Sequence, residues 1–147
     1  MQNLKVLCLL LGFLCGSAIA GPQDDAVQVV ERWAKAFTAA DVDTIVGLYA
    51  PDAVFMGTVS KTIVTTPEGI RKYFEVALLG KRRFVASFVE STVTPVGETG
   101  FVVTALDKLV VTAEGKTEEV FGRVTFVVAK RGSTWKIISF HRSAMPS

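Results

Sequence analysis

Cysteine is nearly absent from this 147-residue chain, and its two copies, Cys8 and Cys15, both lie close to the start. Histidine is scarcer still, because His141 is the only one. The usual zinc and copper sites of proteins are built from several histidine and cysteine ligands. The sequence therefore predicts no metal site, and a domain that begins after Cys15 must be stable without a disulfide bond.

A large excess of charge of either sign is also missing, since 16 Lys and Arg residues face 14 Asp and Glu residues. Nucleic acids and anionic membrane surfaces are bound through large positive fields. The basic cluster Lys81-Arg82-Arg83 is short, and we interpret it as a solvated turn. We therefore predict no nucleic-acid partner. No cofactor is predicted either, because no glycine-rich phosphate loop or dinucleotide fingerprint follows a predicted strand.

The first twenty residues have the composition of a secretory leader. Lys5 precedes an apolar run from Val6 to Leu14, and the small residues of Ala18-Ile19-Ala20 follow. This order is typical of a signal peptide, and the run is too short to span a bilayer comfortably. We expect cleavage after Ala20 and export to the periplasm or the medium. The mature protein, a single domain from residue 21 to 147, is expected to make no membrane contact.

Helical periodicity occupies the first half of the predicted domain. Apolar residues recur at helical spacing after Asp24-Asp25, after Asp41 and after Thr66-Pro67. Aspartate and threonine are good N-cap residues, and proline suits the first helical position. The pattern predicts three helices: one from near Ala26, one from Asp41 through Tyr49, and one from Pro67 to near Gly80.

Most of the remaining sequence is rich in β-branched and aromatic residues, which is typical of strands. The predicted strands are Ala53–Thr58, Phe84–Pro95, Phe101–Thr112, Val120–Lys130 and Thr134–Arg142. This order predicts an α+β fold with three N-terminal helices packed on one side of a curled antiparallel sheet. Several strands carry apolar groups on both faces, so the second face also needs cover. We therefore expect a homodimer or a larger assembly.

The most specific sequence pattern lies at the end of the chain. Trp135 to Ser143 reads WKIISFHRS, and Pro146-Ser147 follow shortly after. With the Lys130-Arg131-Gly132 turn and the helix Arg71–Glu75, this pattern resembles the calcium/calmodulin-dependent protein kinase II association domain and its stand-alone bacterial relatives. These proteins are part of the nuclear transport factor 2-like superfamily. The resemblance implies a cone of sheet and helices that encloses a pocket.

The same resemblance implies that the pocket binds a small carboxylate through arginines. Arg123 and Arg142 match two of the family's pocket arginines. The position of a third is occupied by Leu106, and that of a pocket histidine by Ile70. These departures imply a carboxylate site that is weaker or differently shaped.

The residues themselves leave the role of the first arginine open. Arg123 can clamp a carboxylate with its planar guanidinium, or it can form an internal ion pair with Asp107 or Glu119. His141 and Arg142 are adjacent, so strand alternation sends them to opposite faces of the sheet. The resemblance selects Arg142 for the pocket and leaves His141 toward the expected sheet interface.

Two alternatives to a binding protein remain open at this point. A SnoaL-like isomerase, dehydratase or cyclase would use His141 or Asp107, since a histidine with a near-neutral pKa in the pocket suits a general base. Asp107 is equally suited to balance the charge of Arg123 or Lys108. The other alternative is a non-catalytic oligomerisation module in which the pocket is incidental.

Aromatic side chains at helical spacing are predicted to form the pocket wall. They are Trp33, Phe37, Phe55 and Phe74, together with Tyr49, whose hydroxyl is expected to reach a ligand.

The start of the domain also looks like that of ketosteroid isomerases. Those enzymes need a tyrosine and an aspartate base at positions that correspond to Trp33 and Gly57 here. An indole cannot deliver a phenol-like proton, and glycine is no base. Ketosteroid isomerase activity is therefore rejected.

Overall fold

The computed structural model describes residues 21–146. The predicted leader, residues 1–20, lies outside the described residues, as does Ser147. The elements follow one another as α1 (Pro22–Thr38), α2 (Val42–Leu48), β1 (Tyr49–Met56), α3 (Pro67–Leu78), β2 (Arg83–Pro95), β3 (Gly100–Ala113), β4 (Lys116–Arg131) and β5 (Thr134–Ala144). The predicted α+β fold, with three helices against a curled sheet, is confirmed.

The sheet has the spatial order β1-β5-β4-β3-β2. Strands β2 to β5 form the predicted antiparallel meander, whereas β1 lies parallel to β5 at one edge. The register shifts between Phe88 and Glu90 and between Val127 and Val128. Such bulges bend a strand and increase its twist, which is how a sheet of this size curls around the helices.

Each strand divides its side chains between two faces. We call the face that carries Val124, Phe126 and Phe140 the inner face, because these residues are buried against the helices. The opposite face, which carries Thr125 and His141, is the outer face. Antiparallel partners share a face, so the pairing of Phe126 with Phe140 and of Thr125 with His141 fixes both assignments.

An aromatic cluster joins the first helix to the inner face. The ring centroid of Trp33 lies 5.1 Å from that of Phe37, 5.2 Å from Phe126 and 5.3 Å from Phe140. Such contacts add to the free energy gained from apolar burial. The helical spacing seen in the sequence therefore buries one face of α1 and leaves the other in solvent.

Several element boundaries differ from the predicted ones, and two of these differences have clear local reasons. Helix α1 begins at Pro22 with Gly21 as its N-cap, and Asp24 accepts a hydrogen bond from the Gly21 backbone N–H at 3.0 Å from inside the first turn. Strand β4 begins at Lys116, because Glu114 and Gly115 both adopt the left-handed conformation, with φ of 51° and 75°. A tight turn of this kind extends the pairing of the two strands into a polar segment. That segment lacks the sequence pattern that is typical of a strand.

Tyr49 belongs to the sheet and not to the second helix, because it begins β1 and pairs with Ile137. None of the helices between residues 21 and 146 has the length and apolar character that crossing a bilayer requires.

Candidate ligand-binding site

A cavity of about 370 Å³ lies between α1, α3 and the inner face of the sheet. This volume falls within the range of small-molecule sites, which are mostly apolar with a few placed polar groups. The apolar wall is formed by Trp33, Phe37, Phe74, Phe84, Leu109 and Phe140. The polar groups are Thr58, Tyr73 and Arg142, with the exposed Lys81 and Arg82 at the rim.

Arg142 enters the cavity from β5, and two hydrogen bonds fix its guanidinium. Its Nε donates to Oδ2 of Asp107 at 2.9 Å, and its Nη1 donates to Oγ1 of Thr58 at 2.7 Å. The side chains of Arg142 and Asp107 are only 11% and 6% exposed. Because both charges have left water, their mutual attraction offsets a large desolvation cost.

This ion pair spans a strand. Arg142 lies on β5 and Asp107 on β3, so the pair crosses β4, which lies between them. The crossing point is Gly122, the register partner of Asp107. A Cβ at position 122 would collide with Nη2 of Arg142 and Oδ1 of Asp107. The pair therefore needs a glycine at this place in β4.

Burial raises the pKa of the Asp107 carboxyl above its ordinary value, and the Arg142 guanidinium opposes part of that rise. Oδ1 of Asp107 and Nη2 of Arg142 are buried and have no hydrogen-bond partner among residues 21–146. Asp107 does not line the 370 Å³ cavity, so it lies one layer behind Arg142. Its role here is to orient the guanidinium and to cancel its charge.

Tyr73, on α3, brings a second polar group to the same end of the cavity. A Cβ at Gly57 would collide with the Cζ and Oη atoms of Tyr73, so the phenol occupies space that a side chain at position 57 would take. Burial raises the pKa of the Tyr73 hydroxyl, while the backbone N–H groups of Val59 and Thr58 and the charge of Arg142 act to lower it. Sequence reasoning did not assign Tyr73 to the site, although Tyr73 lies in the helix Arg71–Glu75 that carries part of the resemblance.

The predicted wall residues divide into two groups. Trp33, Phe37 and Phe74 line the cavity, whereas Phe55 is fully buried behind it. Tyr49 requires a correction, because its hydroxyl accepts a hydrogen bond from Nε1 of Trp33 at 3.1 Å and is buried in the core. Burial also raises its pKa well above the ordinary value. The structure therefore does not bring the Tyr49 hydroxyl to the cavity.

Arg123 also requires a correction. Gly122 faces inward, so alternation turns Arg123 to the outer face, where it is exposed and pairs with Ser143 and Leu106. The structure thus separates Arg123 from Arg142 by the thickness of the sheet, and the expected joint clamp does not form within one chain.

Asp107 and Glu119 were the candidate ion-pair partners of Arg123, but each of them pairs with a different cation. Asp107 pairs with Arg142, while Glu119 pairs with Lys108 at 2.9 Å on the outer face. Neither carboxylate forms an ion pair with Arg123 in the part of the chain that the structure describes.

His141 is exposed on the outer face, where it pairs in register with Thr125 and Met56. It therefore lies on the opposite side of the sheet from Asp107, and the two residues do not form a general-base pair in the cavity. Between residues 21 and 146, no three His, Cys, Asp or Glu side chains lie close enough to share a metal ion.

A family model described as the calcium/calmodulin-dependent protein kinase II association domain matches residues 22–146. The chain belongs to this family. A calcium/calmodulin-dependent protein kinase II association domain structure from Xanthomonas campestris is 32% identical to this association domain. It has a TM-score of 0.75, and the match covers 84% of this chain and 88% of that one.

More distant structures share the fold alone. An NTF2-like protein of unknown function from Pseudomonas putida is 20% identical, with a TM-score of 0.75 and coverage of 85% and 87% of the two chains. A protein from Catenulispora acidiphila in complex with S-DNPA is 12% identical, with a TM-score of 0.71 and coverage of 82% and 90%. No curated protein is similar to the chain at a significant level.

The buried ion pair of this association domain generates a pH-dependent prediction. Arg142→Met removes the cation bonded to Asp107, and breaking a buried pair at one partner typically costs about 3–5 kcal/mol. The pKa of Asp107 then rises further, so the folded variant loses stability as the pH increases above the unfolded carboxyl pKa. Urea unfolding should show a deficit relative to wild type that is small near about pH 4 and larger near about pH 7.

The matched control for this variant removes both charges. Asp107→Leu combined with Arg142→Met leaves no uncompensated buried charge, so the double variant should be more stable at neutral pH than Arg142→Met alone. A deficit that does not grow with pH, or a double variant that is no more stable than the single one, would contradict the stabilising role of the pair.

Proposed function

We propose that this association domain is an exported, self-associating protein whose cavity binds a small organic acid. The observation that carries the proposal is a cavity with an aromatic wall whose lining also includes the cations Arg142, Lys81 and Arg82. Arginine remains charged at any physiological pH, and Nη1 of Arg142 keeps one N–H beyond its bond to Thr58. A ligand with an apolar body and an anionic group matches both parts of this environment.

The charges around the cavity support an anionic ligand. Arg142, Lys81 and Arg82 line it and are positive, while Asp107, which lies behind Arg142, is negative. Positive charge therefore predominates, although Asp107 reduces the contribution of Arg142. A concave site of one charge sign raises the local concentration of ligands of the opposite sign.

The test is binding of matched acids and neutral analogues to residues 21–147, measured by isothermal titration calorimetry. Benzoate and phenylacetate should bind more tightly than benzamide and phenylacetamide. Arg142→Gln should weaken acid binding about tenfold or more, because Asp107 then leaves a negative charge beside the cavity. Arg123→Gln, on the outer face, is the matched control and should bind acids as wild type does.

Two results would contradict this proposal. One is equal affinity of the wild-type protein for acids and amides, which needs no variant to interpret. The other is loss of acid binding in Arg123→Gln with retention in a folded Arg142→Gln protein, which would place the site on the outer face.

Self-association is supported by the outer face of the sheet. Leu106, Phe121, Val54 and Met56 are exposed there although they are large apolar side chains. Thr104, Thr125 and His141 lie on the same face, so the surface is mixed in polarity, as stable interfaces often are. A second copy of the chain would cover both kinds of residue in a symmetric contact.

The self-association test places a charge on this face. Leu106→Arg should convert the assembly measured by light scattering into monomers, because an unpaired charge would be buried in the contact. Val96→Arg, in the turn between β2 and β3, likewise changes an exposed apolar residue to arginine and should leave the assembly intact. A wild-type protein that is monomeric at micromolar concentration would exclude the proposed contact.

Export is proposed from the leader-like order of residues 1–20 alone. When the full chain is expressed in a bacterium, mass spectrometry of the periplasmic fraction should find a protein that begins at Gly21. Recovery of the uncleaved chain in the cytoplasmic fraction would contradict this proposal.

A further inference from the structure

The two ends of the cavity differ in charge. At the deep end, the Arg142 guanidinium is bonded to Asp107, so the two formal charges cancel. At the rim, Lys81 and Arg82 are exposed, and none of the cavity-lining residues in the described part of the chain is acidic. An anionic group is therefore attracted more strongly to the rim than to the deep end.

The deep end nevertheless offers hydrogen-bond donors. The Tyr73 hydroxyl lies at the position of Gly57, next to Thr58 in the cavity lining, and its O–H can donate a hydrogen bond to a ligand. Arg142 lies beside it, because its Nη1 is bonded to the side chain of Thr58. Because Asp107 already neutralises the charge of Arg142, these hydrogen-bond donors suit a neutral acceptor, such as a carbonyl oxygen, better than a second anion.

The missing side chain at Gly57 explains how Tyr73 reaches this place. Any Cβ at position 57 would overlap the end of the Tyr73 ring. The ring itself is held by edge contacts to Phe55 at 4.8 Å and Phe74 at 5.4 Å between centroids. The hydroxyl is thus a positioned group at the polar end of the cavity and not a mobile surface group.

We infer that the ligand is an oxo acid that binds with its carboxylate at Lys81 and Arg82 and its carbonyl oxygen at Tyr73 and Arg142. Its apolar middle lies against the aromatic wall that includes Trp33. This inference rests on the proposed acid-binding function and adds the direction of the ligand and its second polar group. Tyr73 is the residue that recognises the carbonyl group, because its hydroxyl donates a hydrogen bond to the carbonyl oxygen.

The experiment uses three ligands that differ in one group at a time. 4-Acetylbenzoate carries both polar groups, 4-isopropylbenzoate lacks the carbonyl, and 4′-methylacetophenone lacks the carboxylate. Wild-type residues 21–147 should bind 4-acetylbenzoate most tightly. Calorimetric titration of each ligand into each variant gives the change in affinity.

Two variants probe the two ends separately. Tyr73→Phe keeps the ring and its packing but removes the hydroxyl, so it should weaken 4-acetylbenzoate by about 3- to 10-fold and leave 4-isopropylbenzoate within about 2-fold. The double variant Lys81→Gln with Arg82→Gln should weaken both benzoates by a similar factor and leave 4′-methylacetophenone unchanged. Arg83→Gln changes the next residue of the same basic cluster, which does not line the cavity, and is the matched control.

The outcomes separate this inference from the function on which it rests. If neither benzoate binds the wild-type protein, both proposals are wrong. If both benzoates bind but Tyr73→Phe weakens them equally, or weakens neither, the acid-binding function stands and the assignment of Tyr73 to the carbonyl is overturned. If the double variant at the rim leaves both benzoates unaffected, the carboxylate lies at the deep end and the inferred direction is wrong.

Discussion

The ion pair between Asp107 and Arg142 is the interaction on which the organisation of this domain depends. It joins β3 to β5 across β4, so it ties together three neighbouring strands at one point of the inner face. A buried pair of this kind is costly to desolvate, and its net stabilisation depends on hydrogen-bond geometry. The bond to Thr58, in the segment after β1, supplies part of that geometry and links the pair to a fourth part of the structure.

The pair also decides the chemistry of the cavity. A buried guanidinium without Asp107 would attract an anion, but its carboxylate partner is already supplied by the chain. The cavity therefore has a deep end that is polar but neutral and a rim that is positive. Gly122 and Gly57 are necessary for this arrangement, because each leaves space for a polar group from another element.

The sequence predicted the elements well because their signals are local. Helical spacing of apolar residues, caps such as Asp41 and the β-branched segments after Gly80 depend on neighbours within a few positions. The start of β4 was placed too late, since the residues before Val120 are polar and exposed and their pairing follows from the tight turn at Glu114-Gly115. Local composition carries little trace of such a hairpin extension.

The site was harder to predict because its contacts join residues that are far apart in the chain. The bond between Asp107 and Arg142 spans 35 positions, and nothing in either local segment indicates it. A shift of one residue in the strand register would move Arg123 to the opposite face of the sheet. The resemblance to the family did not determine that register. Tyr73 was overlooked for a similar reason, since its place in the cavity follows from the absence of a side chain at Gly57.

Strand alternation finally explains how one sheet can serve two tasks. His141 and Arg142 are neighbours in β5, and Gly122 and Arg123 are neighbours in β4, yet each pair is divided between the outer and inner faces. A substitution on one face therefore changes a surface whose side chains do not touch those of the other face. The backbone of the sheet is the shared element, so any influence of a bound ligand on the outer face must pass through the position of its strands. The ion pair crosses β4 and joins β3 to β5, so it fixes the relative position of three of these strands.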